Sequence, residues 1–186
     1  MYPFFRLGKT LARSIIDTKK GNSLPLDGTS EIHLKASIRD MDNFMEMNNG
    51  RIVTMFDLGR YDLSVRTGLG KLLLKNRWGL VVAGSSIQYR KRIRPMDKVT
   101  IKTRLTGIDE RWFYIEQSMW ANGVPTSAIL LRTGITNKGR ALPTQTVLDA
   151  LGEPNFRLPL SEWVQAWANA DKLRVFPTAE TSTAEQ

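Results

Sequence analysis

Residues 39–60 decide the fold of this chain, and they read RDMDNFMEMNNGRIVTMFDLGR. The stretch begins as a short loop rich in carboxylates. Asn48 and Asn49 then open a helix that we predict continues to Arg66, because an Asn side chain accepts from the free N–H groups of a first helical turn. The loop therefore brings its carboxylates to the N-terminus of a long helix.

Apolar residues point in nearly every direction around this predicted helix. They are Ile52, Val53, Met55, Phe56, Leu58, Tyr61, Leu63 and Val65. A helix that is apolar all round is a buried one, and this one is too short and too often interrupted by charge to span a bilayer. We therefore expect a central helix whose positive N-terminal end can stabilise the oxyanion of an acyl-transfer intermediate.

The composition limits the available chemistry. The chain of 186 residues has no cysteine and one histidine, His33. This excludes disulfides, thiolate ligands, a cysteine nucleophile and a zinc site built on several histidines, so we expect no metal. The length suggests one domain with tails. Because cysteine is absent and we find no cleavable signal peptide, we expect a cytoplasmic protein.

The net charge of +9 indicates an acidic partner. That partner is a phosphate-bearing ligand, nucleic acid or an anionic membrane surface, and charge alone does not choose among them. We expect no nucleic acid, because no binding motif for it is present and the consecutive aromatic residues 112–114 must turn at least one ring into the core.

The N-terminal residues 1–20 have helical spacing, with Phe4, Leu7, Leu11 and Ile15 on one face. Lysine and arginine side chains add positive charge. The segment is either an interfacial membrane helix that gives the protein a peripheral membrane contact, or a helix docked on its own domain or on a second subunit. We favour docking, because any docked amphipathic helix shows this pattern.

The strand pattern indicates an α+β fold. A half-buried strand is predicted at 31–38, with His33 on its polar face, where we interpret it as solvent-facing rather than as a catalytic base. Four strands in antiparallel succession follow the long helix, at 79–92, 98–108, 111–121 and 124–136. Strands gathered after a helix indicate a sheet that packs that helix on one face.

Four parts of the chain differ in pattern and composition. They are an N-terminal amphipathic helix and linker at 1–30, a central domain at 31–140, a helical extension at 141–176 and a disordered polar tail at 177–186. Within the extension, short helices are predicted at 143–151 and 160–170.

Two segments of the central domain resemble a known family. Residues 42–49 are similar to the Asp-x-x-x-His-x-Asn-Asn signature of hot-dog-fold acyl thioesterases. Residues 85–99 are similar to the second signature of that family. The whole stretch 31–138 resembles the branch that includes the 4-hydroxybenzoyl-CoA thioesterases and the animal thioesterase-superfamily-member proteins.

This resemblance implies a fold and an assembly. It implies a hot-dog fold, in which an antiparallel sheet wraps around the long helix, here with extra N- and C-terminal helices. It also implies a homodimer joined edge to edge, with acyl sites at the dimer interface, and it leaves open whether two dimers pair as a tetramer. The implied activity is that of an acyl-CoA thioesterase, a hydrolase that needs no cofactor, since coenzyme A is part of the substrate.

The resemblance also implies roles for the residues of the first signature. Asp42 matches the catalytic aspartate, which acts as general base or as nucleophile. Asn48 and Asn49 match the Asn pair that caps the helix and orders the site. Glu46 stands where the family has histidine, and it adds negative charge beside Asp42. This change either assists a general base or marks a non-catalytic protein that binds acyl-CoA or a partner.

A basic cluster follows the second signature. Ser85, Ser86, Arg90, Lys91 and Arg92 are the substrate-binding candidates. The guanidinium groups suit the phosphates of coenzyme A, and a solvated strand end protected against sheet-to-sheet pairing is the equally weighted alternative.

One carboxylate within the long helix offers a second candidate base. Asp57 lies three residues before Arg60, which is the spacing of an ordinary ion pair on a helix surface. We favour that structural interpretation over a catalytic role for Asp57, because the loop carboxylate already fits the pattern.

Overall fold

The computed structural model describes residues 2–175, and the tail predicted at 177–186 lies outside the described residues. The helices are α1 (Phe4–Lys19), α2 (Asn49–Arg66), α3 (Leu69–Asn76), α4 (Thr144–Leu151) and α5 (Glu162–Lys172). The strands are β1 (Thr29–Lys35), β2 (Gly79–Tyr89), β3 (Lys98–Ile108), β4 (Phe113–Ala121), β5 (Val124–Asn137) and β6 (Arg140–Ala141). The predicted α+β class and element order are confirmed.

The strands form one antiparallel sheet in the order β1-β3-β4-β5-β2, with β6 paired to the end of β5. The two-residue turn Asn122-Gly123 joins β4 to β5, and both residues have positive φ, as a type I′ hairpin requires. Strands β1 and β2 are the two edges, so each of them leaves one side of its backbone unpaired within this sheet.

Helix α2 packs on one face of the sheet and forms the main core. Met55, Phe56 and Leu58 are fully buried against Ile101 and Met119 of the central strands. The sequence predicted burial on all sides, and this is wrong for two positions, because Val53 and Tyr61 are partly exposed. They lie on the side of α2 that faces away from the sheet, which α1 covers only in part.

A glycine sets how closely α2 approaches the sheet. A Cβ atom on Gly59 would lie 2.4 Å from Thr103 Oγ1 and 2.9 Å from Gln117 Nε2. Gln117 donates to Thr103 Oγ1 and to the Phe56 carbonyl, each at 2.8 Å, and accepts from Arg60 at 2.8 Å. Buried polar groups need such partners, so this network fixes the helix against β3 and β4.

Helix α5 covers the opposite face of the sheet. Val164 and Ala168 are buried against Tyr114 and Leu130. Trp163 of the same helix is half exposed and lines a groove with Ser86 and Gln88 on this face of the sheet.

Helix α1 docks on α2 through a polar face. Ser14 is buried and donates to Asp62 at 2.5 Å, and Ser30 of β1 donates to the other Asp62 oxygen at 2.6 Å. The predicted docking is confirmed, but the predicted apolar face is only half covered, since Phe4 and Ile15 are exposed. Among residues 2–175, no helix is long and apolar enough to cross a membrane.

Candidate functional site

The loop before α2 is a small hairpin that holds the first signature. Met41 and Met47 form a β-bridge, and the Asp42 N–H donates to the Glu46 carbonyl at 2.8 Å. Phe44 lies exposed at the tip, followed by Met45 with a φ of 58°. The hairpin therefore places Asp42 and Glu46 side by side at its base.

Asp42 is half-buried and shapes the loop with one of its two carboxylate oxygens. Its Oδ1 accepts from the Phe44 N–H at 2.9 Å and from the Glu46 N–H at 3.4 Å. Among the residues that the structure describes, none donates a hydrogen bond to Oδ2. One oxygen of Asp42 thus holds the loop together, and the other takes no part in it.

Asn48 caps α2, as the sequence predicted. Its Oδ1 accepts from the N–H groups of Gly50 at 2.9 Å and Arg51 at 3.3 Å. These two N–H groups are therefore occupied by the cap, and the side-chain Nδ2 of Asn48 is left as an amide donor at the positive end of the helix. Asn49 is the first helical residue, is exposed and makes no cap itself.

A crevice of about 450 Å³ opens on one side of this helix end. It is lined by Tyr2, Arg39, Asp40, Met41, Asn48, Gly50, Arg51 and Thr54. Buried Asp40 lies at its centre, 2.8 Å from Arg6 and 3.4 Å from Arg51. Sequence reasoning missed Asp40 as a site residue. The Ser37-x-x-Asp40 spacing of a capping box, which the structure forms, was the available signal.

A second crevice, of about 170 Å³, opens on the other side of the same helix end. It is lined by Glu46, Met47, Asn49, Ile52, Tyr89, Arg90, Lys91, Arg92 and Ile93. The Arg92 guanidinium lies 2.9 Å from the Glu46 carboxylate. The fold thus brings together five predicted site residues that are separated by more than thirty positions in the sequence.

Ser85 and Ser86 lie apart from both crevices. Ser86 lines a groove of about 230 Å³ on the outer face of the sheet, beside Gln88 and Trp163. Strand side chains alternate between faces, so Ser85 points to the opposite side, where it is exposed on edge strand β2. The structure therefore does not bring either serine to Asp42.

Asp57 belongs to an ion pair two turns into α2. Its carboxylate pairs with Arg60, and burial raises the pKa of Asp57 although the neighbouring guanidinium acts to lower it. Burial likewise lowers the pKa of Arg60. Tyr2 lies close by, and burial, aided by the Asp57 charge, raises its pKa to about 12. At 1.5 Å per residue, Asp57 is roughly 12 Å along the helix from Asn49, so it is remote from the helix end.

A small apolar cavity of about 60 Å³ lies between the C-terminal half of α2, the sheet and α4. Leu63, Ile115 and Leu148 are among the residues that line it. Leu63 is roughly 20 Å along the helix from Asn49, so this cavity is not part of the crevices. Within residues 2–175, no three His, Cys, Asp or Glu side chains cluster in an arrangement that could hold a metal ion.

Comparison with known sequences finds one family. The model of the Thioesterase-like superfamily matches residues 36–168. Protein THEM6 of Danio rerio is 28% identical over 139 residues, which cover 73% of this chain and 67% of that protein. Protein THEM6 of Drosophila melanogaster is 27% identical over 141 residues, which cover 74% of this chain and 73% of that protein.

Comparison with solved structures finds the same fold. The probable thioesterase YbaW of Escherichia coli superposes with a TM-score of 0.62 at 18% identity, over 67% of this chain and 97% of that chain. A Thermus thermophilus thioesterase in complex with coenzyme A and zinc superposes with a TM-score of 0.57 at 21% identity, over 65% of this chain and 95% of that chain. The predicted hot-dog fold is confirmed.

Proposed function

The chain belongs to the thioesterase-like superfamily, and from this premise we propose that it hydrolyses an acyl-CoA to a free acid and coenzyme A. One observation carries the proposal. Arg90, Lys91 and Arg92 line the same crevice as Glu46 and Asn49, directly beside the N-terminal turn of the central helix. Cations at this place can bind a phosphate-bearing thiol while its thioester lies at the helix end.

The three cations supply the coenzyme A contact in this proposal. Guanidinium groups bind phosphate through paired, charge-assisted hydrogen bonds. The backbone N–H groups of Arg90 and Lys91 donate to the Thr126 carbonyl, at 2.7 and 3.1 Å. The backbone of the cluster is thereby held on β5 while the side chains project into the crevice. A coenzyme A complex is known for the similar Thermus thermophilus thioesterase, which supports this class of ligand.

In this proposal Asp42 performs the chemistry through Oδ2, the oxygen that the loop does not use. Asp42 itself lines neither crevice, and Glu46 beside it lines the smaller one. As general base, Asp42 Oδ2 takes a proton from water while the water oxygen attacks the thioester carbonyl carbon. The carbonyl oxygen becomes an oxyanion, which the positive end of α2 stabilises. Collapse of the tetrahedral intermediate breaks the carbon–sulfur bond and releases the thiolate.

A homodimer joined along β2 completes the proposed site. Edge strand β2 exposes Leu80, Val81 and Val82, whose apolar side chains would be covered by a second copy. Arg90 follows this strand directly. Pairing along β2 would therefore place the partner against the cationic crevice and narrow it around an acyl group.

Turnover of a panel of acyl-CoA substrates tests the proposal. Released thiol is measured with a thiol reagent on the purified full chain, with short, long and aromatic acyl groups. We expect saturable hydrolysis of at least one acyl class above the rate without enzyme. A chain that binds these substrates and releases no thiol from any of them would overturn the proposal.

A second candidate function is a hot-dog protein that binds acyl-CoA without hydrolysis. It is favoured by the ion pair of Glu46 with Arg92, because the position of the family's histidine is occupied by a carboxylate that cannot donate a hydrogen bond when ionised. Binding of a thioether analogue of acyl-CoA separates the two functions. Tight binding of the analogue with no turnover of the matching thioester identifies the binding protein.

A further inference from the structure

We propose that the outward face of α1, formed by Phe4, Phe5, Ile15 and Ile16, is a docking surface for an anionic lipid bilayer. These side chains are 70%, 86%, 46% and 50% exposed. Scattered apolar side chains are normal on a protein surface, but these four lie along one side of a single helix, with the small residues Gly8 and Ala12 also exposed between the two pairs. An exposed apolar stripe of this kind marks an interaction site.

Hydrogen bonds on the opposite side of α1 hold this face outward. Ser14 and Asp62 are both buried and lie 2.5 Å apart, and Arg6 lies 2.8 Å from buried Asp40. Arg6 also donates to the Lys35 carbonyl at 2.9 Å. Rotating α1 to bury Phe5 would leave the buried Asp40 and Asp62 without these partners, which costs more than the apolar contact returns. Among residues 2–175, no rotation of α1 therefore covers the outward face at an acceptable cost.

The charges around the outward face select a negatively charged partner. Lys9, Lys19 and Lys20 are exposed on α1, and the only acidic residue of the helix, Asp17, already pairs with Arg13 at 3.7 Å. Apolar side chains flanked by cations are what an interfacial helix uses to enter the headgroup region of an anionic membrane. A second copy of this helix would bring the same positive charges together, so self-association is disfavoured.

The outward face also lies near the N-terminal end of α2, on the side of the larger crevice, whereas the proposed coenzyme A contacts line the smaller crevice on the other side of that helix end. Tyr2 lines the larger crevice, and Arg6 contacts Asp40 in that crevice. Docking of α1 would hold the crevice at the bilayer surface, where long-chain acyl thioesters concentrate because their chains are apolar. This last step rests on the proposed function, whereas membrane docking itself does not.

Vesicle flotation of the full chain without substrate tests the docking. The vesicles are phosphatidylcholine alone, or equal parts of phosphatidylcholine and phosphatidylglycerol. We expect binding to the mixed vesicles and little to the neutral ones. The double variant Phe5→Ser/Ile16→Ser should bind at least about tenfold more weakly, from the apolar area that it no longer buries. The affinity of Lys19→Ser/Lys20→Ser for the mixed vesicles should fall about fivefold for each cation removed, and its binding to the neutral vesicles should not change.

A matched control distinguishes binding through this surface from nonspecific adsorption of exposed apolar side chains to the vesicles. Leu74 on α3 is 83% exposed, and Leu74→Ser should bind the mixed vesicles as the unaltered chain does. Near-UV circular dichroism shows whether each variant keeps its fold, and the two double variants test the face independently.

Three results would overturn the proposal. The first is equal binding of the chain to neutral and mixed vesicles, and the second is unchanged binding by both double variants. The third is absence of binding to the mixed vesicles. A dimer that Phe5→Ser/Ile16→Ser dissociates in size-exclusion chromatography with light scattering would then identify a second copy as the partner. Because no substrate is present, none of these results bears on whether the chain is a thioesterase.

Discussion

The Arg92 guanidinium lies 2.9 Å from the Glu46 carboxylate, across the crevice beside the N-terminus of the central helix. Glu46 stands where the related signature has histidine, so the carboxylate at this position is matched by a cation from the strand end. The Arg92 side chain is 71% exposed, and an exposed ion pair contributes less than about 1 kcal/mol to folding. The pair therefore matters for the charge of the crevice rather than for stability.

Arg92→Gln tests the phosphate-binding role of the crevice. We expect the KM for acyl-CoA to rise about tenfold or more, because a hydrogen bond to a charged group contributes about 1.5–3 kcal/mol, while kcat stays close to its original value. Steady-state kinetics on the best substrate of the panel provides the measurement. Arg94→Gln is the matched control, since Arg94 is also exposed and lies outside the crevice. Equal KM values for the two variants would contradict the role of Arg92.

Gly59→Ala tests the close approach of α2 to the sheet. The added methyl group would lie 2.4 Å from Thr103 Oγ1, so we expect the free energy of unfolding to fall by about 1–3 kcal/mol. Gly8→Ala in α1 is the control, because nothing lies within 4 Å of its added Cβ. That control should be about 0.5–1 kcal/mol more stable than the unaltered chain. Urea unfolding measures both, and an unchanged midpoint for Gly59→Ala would refute the packing.

Asp62→Ala tests the attachment of α1. Its two carboxylate oxygens accept from the buried hydroxyls of Ser14 and Ser30. Without Asp62 the Ser14 hydroxyl still donates to the Thr10 carbonyl at 2.7 Å, whereas the Ser30 hydroxyl is left unpaired, which costs about 1–3 kcal/mol. We expect the unfolding free energy to fall by about 1–3 kcal/mol, and α1 to become sensitive to limited proteolysis before the rest of the chain. Asp27→Ala removes an exposed carboxylate and should leave both measurements unchanged.

Tyr114 should make the chain less stable at alkaline pH. Burial, and then the hydrogen bond of 2.8 Å that it donates to Asp109, raise the pKa of Tyr114 above 10.0. The stabilisation is complete below pH 10.0 and is lost as pH rises toward the folded-state pKa, because the unfolded chain ionises first.

The variant Tyr114→Phe removes that pH dependence in part. We expect its stability to be about 1–2 kcal/mol lower at neutral pH and to decline less steeply above pH 10, by up to about 1.4 kcal/mol per pH unit. Tyr2 and Tyr89 have pKa values raised in the same direction, so some decline persists. Urea unfolding across this pH range provides the test, and parallel curves for the two chains would exclude the effect.

The sequence predicts the elements well where local signals agree. Asn48 marks the start of α2 because a cap residue precedes an apolar helical pattern, and Asn122-Gly123 marks the β4–β5 hairpin because that dipeptide tolerates positive φ. Only the family resemblance placed Glu46 and Arg92 in one candidate site. No local sequence pattern predicts that the end of β2 lies beside the N-terminus of α2.

Three features depend on tertiary partners and escape the sequence pattern. The apolar face of α1 was expected to dock, yet the buried Ser14–Asp62 contact turns a polar face inward. Asp40 was missed because its partner Arg6 is 34 positions away. Ser86 was grouped with the substrate-binding cations, although it faces the outer groove. The alternation of side chains along a strand shows that Ser85 and Ser86 point to opposite faces of the sheet, but it does not show which face carries the site.

The activity of Asp42→Asn measures the central claim most directly. Asn retains the Oδ1 atom that accepts the Phe44 and Glu46 N–H groups, so the loop should keep its shape and the thermal midpoint should change little. Asp57→Asn is the comparison, because Asp57 is also half-buried but lies about 12 Å along α2 from the helix end.

With Asp42 as the base or the nucleophile, kcat/KM for the best acyl-CoA should fall by about 10²–10⁴ in Asp42→Asn and stay within about tenfold in Asp57→Asn. A loss of less than about tenfold in a folded Asp42→Asn chain, or a larger loss in Asp57→Asn, would contradict the account.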